Sequence, residues 1–127
     1  LDKVAPMSSP QAVSSEEIGM IRIYLNPAEK ALEGPVKRFF HAKPLYRQLV
    51  ERAKAAGLMN AVAHQTHFGF SNHGRMQAEG YEMSNPDLTM CLELIAARDR
   101  LEAFCAANGS VLADKVIVYK NLELWRL

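Results

Sequence analysis

Hydrophobic and polar positions alternate with period two over residues 18–25, where Ile21, Ile23 and Leu25 are separated by Arg22 and Tyr24. That is the pattern of a strand whose two faces meet different surroundings. Asn26-Pro27 ends it, because proline offers no ladder donor. The next regular stretch has the helical period. Leu45, Tyr46, Leu49, Val50, Ala53 and Ala56 gather on one side, with Arg47, Gln48, Glu51, Arg52 and Lys54 on the other. Pro44 suits the first turn of this helix and Gly57 its end. A second strand is predicted over 60–70, with Val62, Phe68 and Phe70 on one parity. In a third, over 88–95, Leu88, Met90, Leu92 and Leu94 alternate with Thr89, Cys91 and Glu93. A second helix follows over 97–108, carrying Leu101, Phe104 and Cys105 and stopping at Asn108-Gly109, and a last strand spans 115–124.

The order strand, helix, strand, strand, helix, strand is the split βαβ pattern of an α+β, ferredoxin-like βαββαβ sandwich. Right-handed crossovers place both helices on one face of the sheet. The other face, with Ile95 and Ile117, then needs water-tolerant neighbours or another subunit.

Three stretches fall outside this pattern. Residues 1–17 mix Pro, Ser, Ala and charge without an apolar period and read as a flexible N-terminal arm, leaving 18–127 as one domain. Residues 26–43 form an irregular connection whose Phe39-Phe40 pair either folds onto the core or meets a subunit. Between Phe70 and Leu88 lie seventeen residues, 71–87, against about two to five in an ordinary hairpin. Long loops of this kind are often functional. Gly69 and Gly74 permit positive φ and close backbone approach, and the Arg75 fork suits phosphate or carboxylate.

Composition narrows the function. The chain has 127 residues, 49% hydrophobic and 23% charged, as expected of one globular domain. Fifteen Lys and Arg against fourteen Asp and Glu leave a charge of +1, which argues against a broad nucleic-acid surface. No apolar run approaches the roughly eighteen residues of a membrane span, and no secretory pattern opens the chain. Cys91 and Cys105 form no CxxC pair and read as reduced thiols, so a cytoplasmic location is expected.

Metal and enzyme chemistry have little to stand on. His64 and His67 lie three apart on one expected strand and so point to opposite faces, while His73 sits in the loop and His41 before the first helix. No metal site is expected. There is no GxSxG, Walker loop or HExxH, and the loop carboxylates Glu79, Glu82 and Asp87 read as solvent contacts. Asp114-Lys115 either meets a phosphate or simply opens the last strand. No catalytic residue is expected, and the chain is read as a non-enzyme.

The segments GMIRIYL (19–25), KPLYRQLVERAKAAGL (43–58), FGFSNHGR (68–75) and DLTMCLELI followed by a helix and KVIVY occur in an order that resembles the domain-of-unknown-function-190 family. That family is similar to the nitrogen-regulatory PII proteins, and the resemblance covers about residues 18–120. It implies a PII-like homotrimer that needs no cofactor. Clefts between its subunits would take a small effector, commonly an adenine nucleotide, and the long loop would contact a partner enzyme or membrane transporter. Gly69 and Phe70 match the Gly-Phe at the loop base, Arg75 a basic position after it, and Lys115 the lysine entering the last strand. Together with the hydrogen-bond donors clustered beside flexible backbone at Ser71, Asn72, His73, Gly74 and Arg75, this makes Gly69, Ser71, Gly74, Arg75 and Lys115 the expected effector contacts. Ser71 replaces the usual glycine, Met76-Gln77 replaces Ile-His, and Leu112-Ala113-Asp114 replaces a Gly-rich approach, so fewer backbone donors converge on an anion. A smaller adenylate, another anion or no nucleotide all stay open. Three other readings are a metal-responsive trimeric binding protein, a purely structural trimer and a small enzyme.

Overall fold

The computed structural model describes residues 10–29, 43–78 and 88–127. Its elements in chain order are β1 (Ser14–Leu25), α1 (Leu45–Ala55), β2 (Asn60–Gln65), β3 (Phe68–Gly69), β4 (Gln77–Ala78), β5 (Met90–Ala96), α2 (Arg98–Ala107), α3 (Gly109–Leu112) and β6 (Val116–Arg126). Four of the strands make one sheet in the order β2-β5-β1-β6, and β3 pairs only with β4. Every pairing is antiparallel. This is the split βαβ sandwich that the element order implies.

Register explains the core. Ile21 lies opposite Leu94 and Ile23 opposite Leu92, so the odd positions of β1 share a face with the even positions of β5. That face carries Leu45, Leu49 and Ala53 of α1 and Leu101 and Phe104 of α2 in one buried cluster. Both helices thus cover the same side. Ile117 pairs with Ile23 and packs against this cluster. It belongs to the helix-covered face, contrary to the sequence expectation, because the register of β6 sets its parity.

The opposite face has no helix among the described residues. Ile18 and Met20 of β1 are buried there by cross-strand neighbours, Leu122 beside the first and Ile95 and Lys120 beside the second. Val62 and Val118, which flank the row formed by Glu93 and Arg22, are exposed. An Arg22–Glu93 ion pair at 2.9 Å crosses the middle of this face. Cys91 is buried between Tyr24 and His64 on the neighbouring strands, and that burial pushes its thiol pKa up.

Several expected boundaries move. β1 begins at Ser14, so residues 14–17 belong to the sheet rather than to the expected arm. They pair with Glu123–Arg126 partners, Ser14 facing Arg126 and Glu17 facing Glu123, and Arg126 bridges Glu16 at 2.9 Å. A polar SSEE run has no apolar alternation to reveal a strand held by its ladder. The second expected strand breaks after Gln65, and a short helix, α3, follows α2. The first nine residues, the Phe39-Phe40 pair, His41 and the loop residues 79–87 lie outside the described residues.

Leu92 is fully buried at the centre of the cluster. Leu92→Ala should cost about 2–5 kcal/mol of folding stability, read as a lower denaturant midpoint at unchanged slope; a loss under half a kcal/mol would contradict the packing described.

Candidate functional site

Three local devices bring distant residues together. The first follows β1. Asn26 Oδ1 accepts the Ala28 N–H at 2.8 Å and its carbonyl accepts the Glu29 N–H at 3.1 Å, a tight turn about Pro27. The Glu29 carbonyl in turn accepts the Leu45 N–H at 2.6 Å, meeting one of the donors that the start of α1 leaves over.

The second device is the loop base. The chain leaves β2 at Thr66, whose N–H and hydroxyl both donate to the Thr89 carbonyl. It then forms the β3–β4 ribbon, closed by a turn in which Gly74 N–H donates to Ser71 O at 2.9 Å. Asn72 and His73 hold φ of 51° and 59° inside that turn, the backbone of a type I′ bend. Gly69 takes φ 150°, open to glycine alone, and a Cβ on Gly74 would stand 2.9 Å from the Ser71 carbonyl. Gln77 Oε1 accepts both the N–H and the hydroxyl of Thr89 at 2.9 Å. Thr89 therefore ties the strand exit and the ribbon to the approach to β5.

The third device is α3. Its carbonyl at Leu112 accepts the Lys115 N–H at 3.0 Å and sets the lysine at the mouth of β6. The lysine side chain is 8% exposed, and its ammonium is held by Glu29 at 2.7 Å and by Asp114 at 2.8 Å. Burial acts to lower its pKa, but the hydrogen bonds and charges of Asp114 and Glu29 outweigh it and raise the value. The same hydrogen bond and the lysine's charge pull the Asp114 carboxyl down.

These devices enclose a cavity of about 200 Å³ between the end of β1, the Ser71–Asn72 turn, Gln77, Thr89 and the start of β6. Of the five expected contacts, Ser71 and Lys115 line it. Gly69 and Gly74 shape the ribbon beside it, and Arg75 is exposed outside it. Tyr24, Asn26, Glu29, Gln77 and Thr89 also face the cavity and were not singled out by sequence. Glu29 lies 86 residues from its lysine, and no spacing signals such a pair. Phe68, Phe70 and Met76 stand 67%, 60% and 55% exposed around the ribbon, an apolar rim next to the polar cavity.

A larger cleft of about 640 Å³ runs between α1 and α2, floored by alanines and Phe104. Its Arg52 is committed to structure, donating to the buried Asn108 at 2.6 Å, so the smaller polar cavity is the better candidate site. Among the described residues, no cluster of three or more His, Cys, Asp or Glu side chains could hold a metal. No helix among them is long and apolar enough to cross a membrane.

The family model DUF190, described as Uncharacterized ACR, matches residues 19–124. The chain belongs to this family. No curated protein matches it. Among solved structures, this DUF190 protein is similar to CPII from Thiomonas intermedia K12 bound to ADP and bicarbonate, with 17% identity and a TM-score of 0.59 over 91% of this chain and 95% of that one. CPII bound to ADP, AMP and bicarbonate gives 15% identity and a TM-score of 0.58 over 91% and 94%. Its apo form, named a nitrogen regulatory PII-like protein, gives 14% and 0.51 over 91% and 100%. The DUF190 chain accordingly has a PII-like fold.

Gln77→Ala should raise the amide exchange rate of Thr89 and lower stability by about 1 kcal/mol; unchanged exchange at Thr89 would remove Gln77 as the brace of the loop base. The raised Lys115 pKa makes its contribution complete below the ordinary value of 10.5 and lost as pH climbs through the higher folded value. Melting temperatures of wild type and Lys115→Met should therefore differ at neutral pH and converge in strong alkali. A gap that persists there would show that the charge is not its source.

Proposed function

We propose that this DUF190 protein is a PII-like regulatory protein, not an enzyme, which binds a small effector at clefts shared between copies of a homotrimer. The observation that carries the reading is the near-buried Lys115 in a polar cavity at the base of the 71–87 loop. CPII, the structural neighbour, is named as bound to ADP, AMP and bicarbonate, and an adenine nucleotide is the effector favoured here. Ser71 and Lys115 would meet it directly, Gly69 and Gly74 would hold the ribbon in shape, and Arg75 would approach from the exposed side.

Size supports sharing. The cavity's 200 Å³ falls below the roughly 300–1,000 Å³ that bury a drug-sized ligand. A nucleotide with one end here would leave the rest uncovered by this protomer. The exposed Phe68, Phe70 and Met76 and the sheet face opposite α1 and α2, with Val62 and Val118, offer the apolar surface that a neighbouring copy would cover. Occupancy would favour one arrangement of the loop through its differential contacts, and so alter affinity for a partner enzyme or membrane transporter in the cytoplasm.

Light scattering should give three times the protomer mass of 14.2 kDa; a lone protomer at micromolar concentration would defeat the shared cleft. Calorimetry should show saturable binding of at least one of AMP, ADP, ATP and cyclic AMP, weakened on the order of tenfold or more in Lys115→Met. No heat with any of the four would remove the adenylate.

A further inference from the structure

The anion position at Lys115 is already taken from within the chain. Glu29 Oε2 lies 2.7 Å from the ammonium and Asp114 Oδ1 2.8 Å. The two carboxylates are not equivalent. Asp114 adjoins the lysine in sequence and is 81% exposed, so water screens it. Glu29 is only 35% exposed and reaches Lys115 from 86 residues away. Its backbone is fixed on both sides, the N–H on Asn26 and the carbonyl on Leu45. Its carboxylate occupies the place where an external oxyanion would accept a charge-assisted bond from Nζ.

Lys115 is the only Lys or Arg among the described residues that line the cavity, and the other polar lining groups, Tyr24, Asn26, Ser71, Asn72, Gln77 and Thr89, are neutral. One positive charge thus faces two negative ones. Neutral polar parts of a ligand meet hydrogen-bonding partners there, whereas an added anion meets a net negative wall. We propose, resting on the effector reading above, that Glu29 is a specificity-determining residue: a built-in competitor that an oxyanion must displace from Lys115. It lowers affinity for anionic effectors in proportion to their charge at this point and leaves neutral ones untouched.

Glu29→Gln removes the charge and keeps the size and an oxygen acceptor. Calorimetric titrations at fixed low ionic strength would compare AMP, bicarbonate and uncharged adenosine on wild type, Glu29→Gln and the screened control Asp114→Asn. AMP and bicarbonate should bind Glu29→Gln on the order of tenfold tighter than wild type, with a smaller gain in Asp114→Asn and no change for adenosine. Glu29→Asp, which withdraws the carboxylate by one methylene, should fall between wild type and Glu29→Gln for AMP, and it carries the test should Glu29→Gln fail to fold. AMP bound no tighter by either Glu29 variant, or adenosine tightened as much as AMP, would overturn the proposal. Wild-type binding without that gain would remove Glu29's role alone, whereas silence of all three probes on every variant would remove the effector reading with it.

Discussion

β1 has to satisfy two ladders and two faces at once, and the rest of the molecule follows from how it does so. β5 fills one edge over Gly19–Leu25 and β6 the other over Ser14–Tyr24, so residues 19–24 are paired on both sides. Its odd side chains, Ile21, Ile23 and Leu25, enter the cluster under α1 and α2. Its even side chains must then point to the side that the helices do not reach. Ile18 and Met20 are buried on that side, and Arg22 pairs there with Glu93. A sheet built this way leaves Val62 and Val118 exposed on the side opposite α1 and α2.

The candidate site obeys a second constraint, the cost of withdrawing an ammonium from water. Lys115 stays charged because Glu29 and Asp114 supply the compensation that solvent does not. On the reading proposed above, the same compensation competes with any anion that arrives. The ordering of Lys115 and the selectivity proposed for it would then have one source, the carboxylates placed by the Asn26-Pro27 turn and by the step from α3 into β6.

Where side-chain periodicity carried the information, the sequence was legible. The α1 stripe from Leu45 to Ala53 and the alternation through Leu92 and Leu94 lie where the pattern puts them. It failed where backbone bonding decides. Ser14–Glu17 join the sheet through the ladder with β6, and their polar side chains carry no trace of it. Gln65 ends β2 because Thr66 turns its donors to Thr89, an interaction spanning 23 residues. Of the residues lining the cavity, Lys115 stood out through the family resemblance and Ser71 through the polar donors clustered at 71–75, while the glycines beside it stood out through the φ and approach that turns demand. Glu29, Gln77 and Thr89 did not, because each owes its place to a partner far along the chain. A glutamate two residues beyond a proline turn looks like any solvated loop carboxylate until the fold sets a lysine against it.

The cavity's position connects it to the loop. Thr89 receives Gln77 from the ribbon on its N–H and hydroxyl sides and Thr66 from the strand exit on its carbonyl. Both ends of the excursion are thus tied to one residue that itself lines the cavity. A ligand competing for the Gln77 amide or the Thr89 hydroxyl would exchange protein bonds for its own at the point where the ribbon is attached. The cavity borders the end of the sheet as well, at Tyr24, Leu25 and Val116, so one small space joins the attachment of the ribbon to the paired ends of β1 and β6.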